Sequence, residues 1–367
     1  MIAADSPDRR RIGAKLLSID RYGTIRHRAR CALAELLRAG DLVIANDAAT
    51  LPASLFGNHV RGQRPIEVRL ASRPSLDVTE VSDFVALVFG EGDFRTRTED
   101  RGQPPALAPG DRLVLGPLQA TIVRVLNHPR LVLLRFDGSA REIWEGLARH
   151  GRPVQYSHVP LPLALWDTWT PIAGPPVAFE PPSAGFALSW DMLASLAARG
   201  IQFATITHAA GLSSTGDLTL DARLPFDEPY RIPMPTAQAI LQTRAQDGRI
   251  IAIGTTVVRA LEHAASVDGS IAAGEGLATN KIRRSTRLRA VDAVLTGTHE
   301  RGTSHYELLR AFVPSESLIR MDLELDTHDY QTHEYGDSIL VERAARSFAM
   351  RPRRHNRPAG HGRRPER

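Results

Sequence analysis

Between residues 189 and 312 short apolar runs alternate with helical patterns, and this alternation constrains the fold more than any other feature. "SWDMLASLAARG" reads as a helix stopped by Gly200, and "IQFATITH" as the strand that follows it. "TAQAILQTRAQDG" is helical, "RIIAIG" is a strand, "VVRALEHAA" a helix, "LRAVDAVLTGTH" a strand and "YELLRAF" a helix. Strands that are apolar at nearly every position must be covered on both faces, as in a parallel sheet flanked by helices. Residues 15–57 extend the pattern through "KLLSID", the short helix "CALAELLRAG" and the buried strand "DLVIAND". The expected fold class is therefore α/β, a mainly parallel sheet with helices on both faces.

The stretch from 58 to 138 has a different period. "PIEVRLA", "DFVALVFG", "GDFRTRT", "DRLVLG", "ATIVRVL" and "RLVLLRF" are short strand-like runs separated by turns such as Pro109-Gly110-Asp111. Strands at this spacing predict a small β-barrel inserted into the first domain, closed by the helix "SAREIWEGLARHG". The expected domains are 1–57 with 151–345 as the discontinuous α/β body, 58–150 as the barrel, and 346–367 as a disordered arginine-rich tail. The proline-rich segment 152–182 crosses between them.

The chain has 367 residues, of which 43% are hydrophobic, enough for two cores. Its net charge of +5 is concentrated at the end, because residues 346–367 hold eight arginines and one glutamate. The rest is slightly acidic, so a basic nucleic-acid-binding body is not indicated, although the tail can add salt-sensitive affinity for RNA. Cys31 is the single cysteine, which excludes an internal disulfide and a cysteine-rich zinc site. The first residues lack a signal-peptide core, and no apolar run is long enough to span a bilayer. A cytoplasmic monomer without membrane contact is expected.

Three strand ends carry polar residues. "IQFATITH" ends in His208, "RIIAIG" runs into Thr255 and Thr256, and the strand at 288–299 closes with Thr296 and His299. Ligands of open α/β sheets bind beyond the carboxyl ends of the strands, so neighbouring parallel strands would bring these groups to one crevice. A strand-end histidine can equally be a capped structural residue. Thr255 and Thr256 open a helix whose free N–H groups suit an anion such as a carboxylate. Arg259 one turn along either faces that anion or pairs with Glu262. No phosphate-loop, dinucleotide-binding or metalloprotease motif is present. No metal site is expected, because His299 and His305, or His328 and His333, lie at spacings unlike a helical ligand pair.

Six segments in order, "LLRAGDLVIANDAATLPASLFG", "PPSAGFALSWDMLASLAARGIQF", "THAAGLSSTGD", "RIIAIGTTVVRALEHAA", "LRAVDAVLTGTHERGTSHYELLRAF" and "HEYGDSILV", together give the chain a family likeness. It resembles a diverged member of the S-adenosylmethionine:tRNA ribosyltransferase-isomerase family of queuosine biosynthesis, from about Leu16 to Val341. The resemblance implies that the ribosyl part of S-adenosylmethionine is moved onto a 7-aminomethyl-7-deazaguanine at the tRNA wobble position and isomerised. The products are epoxyqueuosine-tRNA, adenine and methionine, and no cofactor beyond S-adenosylmethionine as co-substrate is implied. The tRNA anticodon loop is the implied partner. His208 and His299 are the candidate acid and base, and Asp337 is a candidate to orient a histidine or hold a ribose hydroxyl. Ser183, Gly185, Thr255, Thr256, Arg259 and Thr296 are the candidate contacts to S-adenosylmethionine. Ala49, Ser54 and Ala187 stand where the family usually has two arginines and a histidine. The alternative these differences imply is a paralogue that binds a nucleoside or RNA, or uses another acceptor.

Overall fold

A computed structural model describes residues 1–7, 13–266 and 269–345. The arginine-rich tail, 346–367, lies outside the described residues. A nine-stranded sheet runs in the order 274–278, 228–232, 202–208, 42–46, 250–253, 293–297, 338–342, 15–19 and 25–29. The four strands Gln202–His208, Leu42–Asn46, Ile250–Ile253 and Ala293–Gly297 are mutually parallel and form its centre. Toward the edges the pairing is mixed: Glu228–Ile232 and Ser338–Glu342 run antiparallel to their central neighbours.

The central strands are apolar throughout because each face has its own cover. Side chains alternate across a strand, so Leu42, Ile44, Ile250 and Ala252 enter one core, with Val257, Val258 and Leu261 of the Thr255–Ala264 helix. Val43, Ala45, Ile251 and Ile253 enter the opposite core, with Met192 and Leu196 of the Trp190–Ala198 helix. This is the two-sided burial that the continuous apolar runs required.

Six strands close the inserted barrel in the order 118–125, 131–136, 83–89, 64–72, 54–59 and 112–115. Leu55, Val68, Phe84, Leu113, Ile122 and Leu134 fill it. Ser139 and Glu142 form a capping box that starts the Ala140–His150 helix, whose Ile143 and Leu147 join the barrel core. The first barrel strand is Ser54–His59, so a boundary at 58 falls inside it. Ser54 and Arg152 exchange backbone hydrogen bonds of 2.8 and 2.9 Å and fix the neck of the insertion there.

"GDFRTRT" is not a strand. Gly90 N–H donates to Gly102 O and Gly102 N–H to Glu91 O, at 3.0 and 3.1 Å, so the segment between is a closed loop. A Cβ at Gly90 would lie 2.3 Å from Gln103 O, which is why glycine stands at the crossing. No helix among the described residues is long and apolar enough to cross a membrane.

Candidate functional site

Leu42–Asn46 separates the His208 strand from the Ile250–Ile253 strand, and it supplies the clamp that orders this end of the sheet. Asn46 donates from Nδ2 to His208 O and accepts His208 N–H at Oδ1, each at 2.9 Å. Next to it, Asp47 accepts the hydroxyls of Thr205 and Thr207 at 3.0 and 2.7 Å. Gly254 then turns the chain from strand to helix at φ +98°, a conformation L side chains rarely adopt. A Cβ built there would lie 3.6 Å from Ala184, so the corner packs on the Ser183–Ala187 turn.

Above these strand ends lies a cavity of about 250 Å³. Ser183, Thr255, Thr256, Arg259, Thr296 and His299 all line it. Thr256 Oγ1 is buried there without a hydrogen-bond partner among the described residues, at a helix N-terminus with unpaired N–H groups. That combination favours an anionic or polar ligand group. Thr296 Oγ1 lies 3.1 Å from His299 Nε2, and the His299 ring stacks on His305 with centroids 4.4 Å apart. Burial first, then the charges of His305 and His333, hold His299 well below the ordinary histidine range.

Three candidates fall outside the cavity lining. Asp337 is buried, and its two oxygens accept the backbone N–H groups of Lys15 and Gln331, each at 2.8 Å. Through these bonds it ties strands together. Gly185 makes room for a protein side chain: a Cβ there would meet Thr170 Cγ2 at 2.8 Å. His208 is fully buried behind the wall, with Nε2 3.4 Å from Glu228 Oε2. Burial and the Arg259 charge push it down to about 3, so its ring is uncharged at neutral pH.

That depression has a stability consequence with a definite sign. Below about pH 6.5 the unfolded chain protonates His208 while the folded chain does not, so this residue subtracts stability as pH falls from 6.5 toward 3. The loss approaches about 1.4 kcal/mol per pH unit. Urea unfolding at pH 7, 5.5 and 4.5 should show a steeper acid decline for wild type than for His208→Asn. Equal declines would show that His208 protonates in the folded state.

Arg259 lines the cavity, and its carboxylate partner is not the Glu262 one turn along. It forms an ion pair with Glu228 and donates to the carbonyls of Phe226, Ala278 and Asn280 at 2.7, 2.7 and 2.9 Å. Glu262 instead accepts the backbone N–H groups of Arg289, Ala290 and Val291 at 2.8, 3.0 and 2.9 Å. Glu228, pushed up by burial against the pull of Arg259, also accepts Gly211 N–H at 2.7 Å. The guanidinium therefore braces the cavity wall.

Glu180 is the cavity residue that sequence reasoning missed. Its carboxyl accepts the Tyr156 hydroxyl and, at 3.0 Å, the Ser213 N–H. Burial and the nearby Glu334 push it up to about 7. Its one local signal is a glutamate in "FEPPSAG", directly before the small-residue turn. The partners that bury it lie 24 and 33 residues away.

A family model described as "Queuosine biosynthesis protein" matches residues 1–341. The S-adenosylmethionine:tRNA ribosyltransferase-isomerase of Pelobacter propionicus is 30% identical over 350 residues, covering 93% of this chain and 96% of that protein. The protein of the same description from Gloeobacter violaceus is 32% identical over 354 residues, covering 92% of each. A crystal structure of S-adenosylmethionine tRNA ribosyltransferase from Thermotoga maritima aligns with 92% of this chain and 96% of that one, at 22% identity and a TM-score of 0.49. Matched from end to end of its described body, this chain belongs to the queuosine biosynthesis family of S-adenosylmethionine:tRNA ribosyltransferase-isomerases.

Proposed function

We propose that this protein transfers the ribosyl moiety of S-adenosylmethionine to the 7-aminomethyl-7-deazaguanine at the tRNA wobble position and isomerises it. Epoxyqueuosine-tRNA forms, and adenine and methionine leave. The observation that carries the reading is the cavity at the carboxyl ends of the parallel strands, in a chain related over nearly its whole length to enzymes so named. The sulfonium acidifies the C5′ protons of its ribose, so the chemistry needs a positioned base, a donor for departing adenine and exclusion of water. His299, held neutral, is placed to accept a proton. Glu180 faces the same cavity as a second proton-transfer group, and Thr255 and Thr256 receive the methionine carboxylate at the helix N-terminus. Ser183 and Thr296 hold the nucleoside. The protein acts as a cytoplasmic monomer on the anticodon loop.

The test is incubation with S-adenosylmethionine and tRNA carrying the aminomethyl-deazaguanine. Stoichiometric adenine, methionine and epoxyqueuosine are expected. Adenine release without tRNA modification would assign another acceptor, and absence of S-adenosylmethionine binding by calorimetry would overturn the reading.

RNA reaches the cavity across a basic rim. Lys281 and Arg283 line the opening, and Arg223, Arg283 and Arg284 are exposed with no carboxylate partner among the described residues. Burial, with Arg283, Arg259 and Arg223 close by, pushes Lys281 below its ordinary range. Replacing Arg283 and Arg284 by alanine should weaken tRNA binding and flatten the log Kd against log salt slope by about 1.4, since each phosphate contact to a single strand contributes about 0.7. S-adenosylmethionine affinity should not change. An unaltered slope would place the phosphate contacts elsewhere.

A further inference from the structure

Behind the cavity wall the fold brings together a set of side chains that the proposed reaction leaves unused. His158 comes from the proline-rich crossing, and His333 and Glu334 come from the segment before the Ser338–Glu342 strand. His158 Nε2 lies 3.1 Å from Glu334 Oε2, and the two histidine rings stack with centroids 4.3 Å apart and planes 18° apart. One nitrogen from each histidine and one carboxylate oxygen all lie within 4.8 Å of one another. We infer that His158, His333 and Glu334 form a binding site for a divalent transition metal of the zinc class.

The donor set suits such an ion. Two imidazoles and one carboxylate, with a fourth position open, are a recurrent zinc environment, and imidazole also binds cobalt and nickel. Tetrahedral zinc with bonds of about 2.0–2.1 Å needs its ligand atoms about 3.3 Å apart, so shifts of the order of 1 Å close the site. The His158–Glu334 pair is already near that separation. All three side chains are half-buried, which limits competition from water.

Hydrogen bonding leaves the cluster incompletely explained. The His333 imidazole makes no hydrogen bond to another described residue, although it is packed against His158. Its backbone sits at φ +69°, a conformation uncommon for non-glycine residues and found at constrained sites. Glu334 is also close enough to the buried Glu180 to raise it by charge repulsion, and a dication held by Glu334 relieves that repulsion. Tyr156 stacks beside His158 and limits how far that ring can turn.

A second cluster, His27, Glu324 and His328, has hydrogen-bond partners for both His27 nitrogens and for His328 Nδ1. His27 uses one nitrogen on the Tyr330 hydroxyl at 2.9 Å and the other on Glu324 at 3.1 Å. His328 Nδ1 lies 3.0 Å from the Glu324 carbonyl. The two groups of residues thus serve as target and control.

A bound ion would tie the interdomain crossing to the chain 176 residues later, adding stability by ligand linkage. The full chain, purified without a histidine tag and stripped with chelator, should be titrated with zinc chloride alone by calorimetry and thermal melting. One equivalent should bind and raise the melting temperature. His333→Ala and Glu334→Gln should each weaken binding at least tenfold, while His27→Ala leaves it unchanged. Cobalt should give a visible d–d spectrum in wild type that His333→Ala abolishes. Zinc binding that is absent, or that survives both variants, would overturn the site. Binding lost only in His27→Ala would do the same by assigning the ion to the other cluster. These readouts require no turnover, so they stand apart from the reaction proposed above.

Discussion

Glu228→Ala should lose about 3–5 kcal/mol of folding stability, with a melting temperature lowered by roughly 10 °C. The carboxylate removed is the sole anionic partner, among the described residues, of Arg259, which is 4% exposed. Arg259 would keep its three carbonyl acceptors but carry an uncompensated charge in a low-dielectric wall. Gly211 N–H would lose its acceptor at the same time. The sign for the pair is different from that for one partner. A Glu228→Met/Arg259→Leu double variant should recover most of the loss, because apolar replacements of similar volume avoid both desolvation costs. Circular dichroism melts of wild type, Glu228→Met, Arg259→Leu and the double variant form a cycle that isolates the coupling. Additive single losses would show that the two residues act independently and that Arg259 is free to hold a ligand.

That pair also shows what could be read from sequence and what could not. Strand and helix identities in the α/β body follow from local pattern, since Ile250–Ile253 and Leu42–Asn46 are apolar at consecutive positions and both faces are covered. The Gly254 corner was legible for the same reason: a glycine between a buried strand and a helix has few other uses. Arg259 was not legible. At three residues from Glu262 it fits a helix-face ion pair, yet the helix is buried on that side and each charge finds a distant partner. His208 and His299 look alike as strand-end histidines, and only the antiparallel Glu228–Ile232 strand, pairing with His208, separates them. That strand contains a proline and follows a loop, so period-2 alternation gave it little signal. "GDFRTRT" failed in the opposite direction, with a strand-like pattern but no neighbour to pair with.

His299→Asn should reduce the rate of adenine release by 10² to 10⁴-fold, the range in which a positioned acid or base contributes. Asparagine keeps a polar group facing Thr296 but cannot take a proton from C5′. The affinity for S-adenosylmethionine should therefore change little, since Ser183 and the Thr255–Thr256 corner are untouched. Glu180→Gln makes the complementary case. The amide keeps the shape and the Tyr156 and Ser213 contacts, and removes proton exchange at the far wall. If the two groups act on different protons of one reaction, each single variant should lose turnover, and the double variant should lose little more than the worse single one. Single-turnover measurements with radiolabelled S-adenosylmethionine separate this from weakened binding. A large rise in the Kd of His299→Asn with an unchanged single-turnover rate would make His299 a binding residue. Full activity in both variants would leave the cavity without its proton-transfer groups, and would move the chemistry to residues outside this wall.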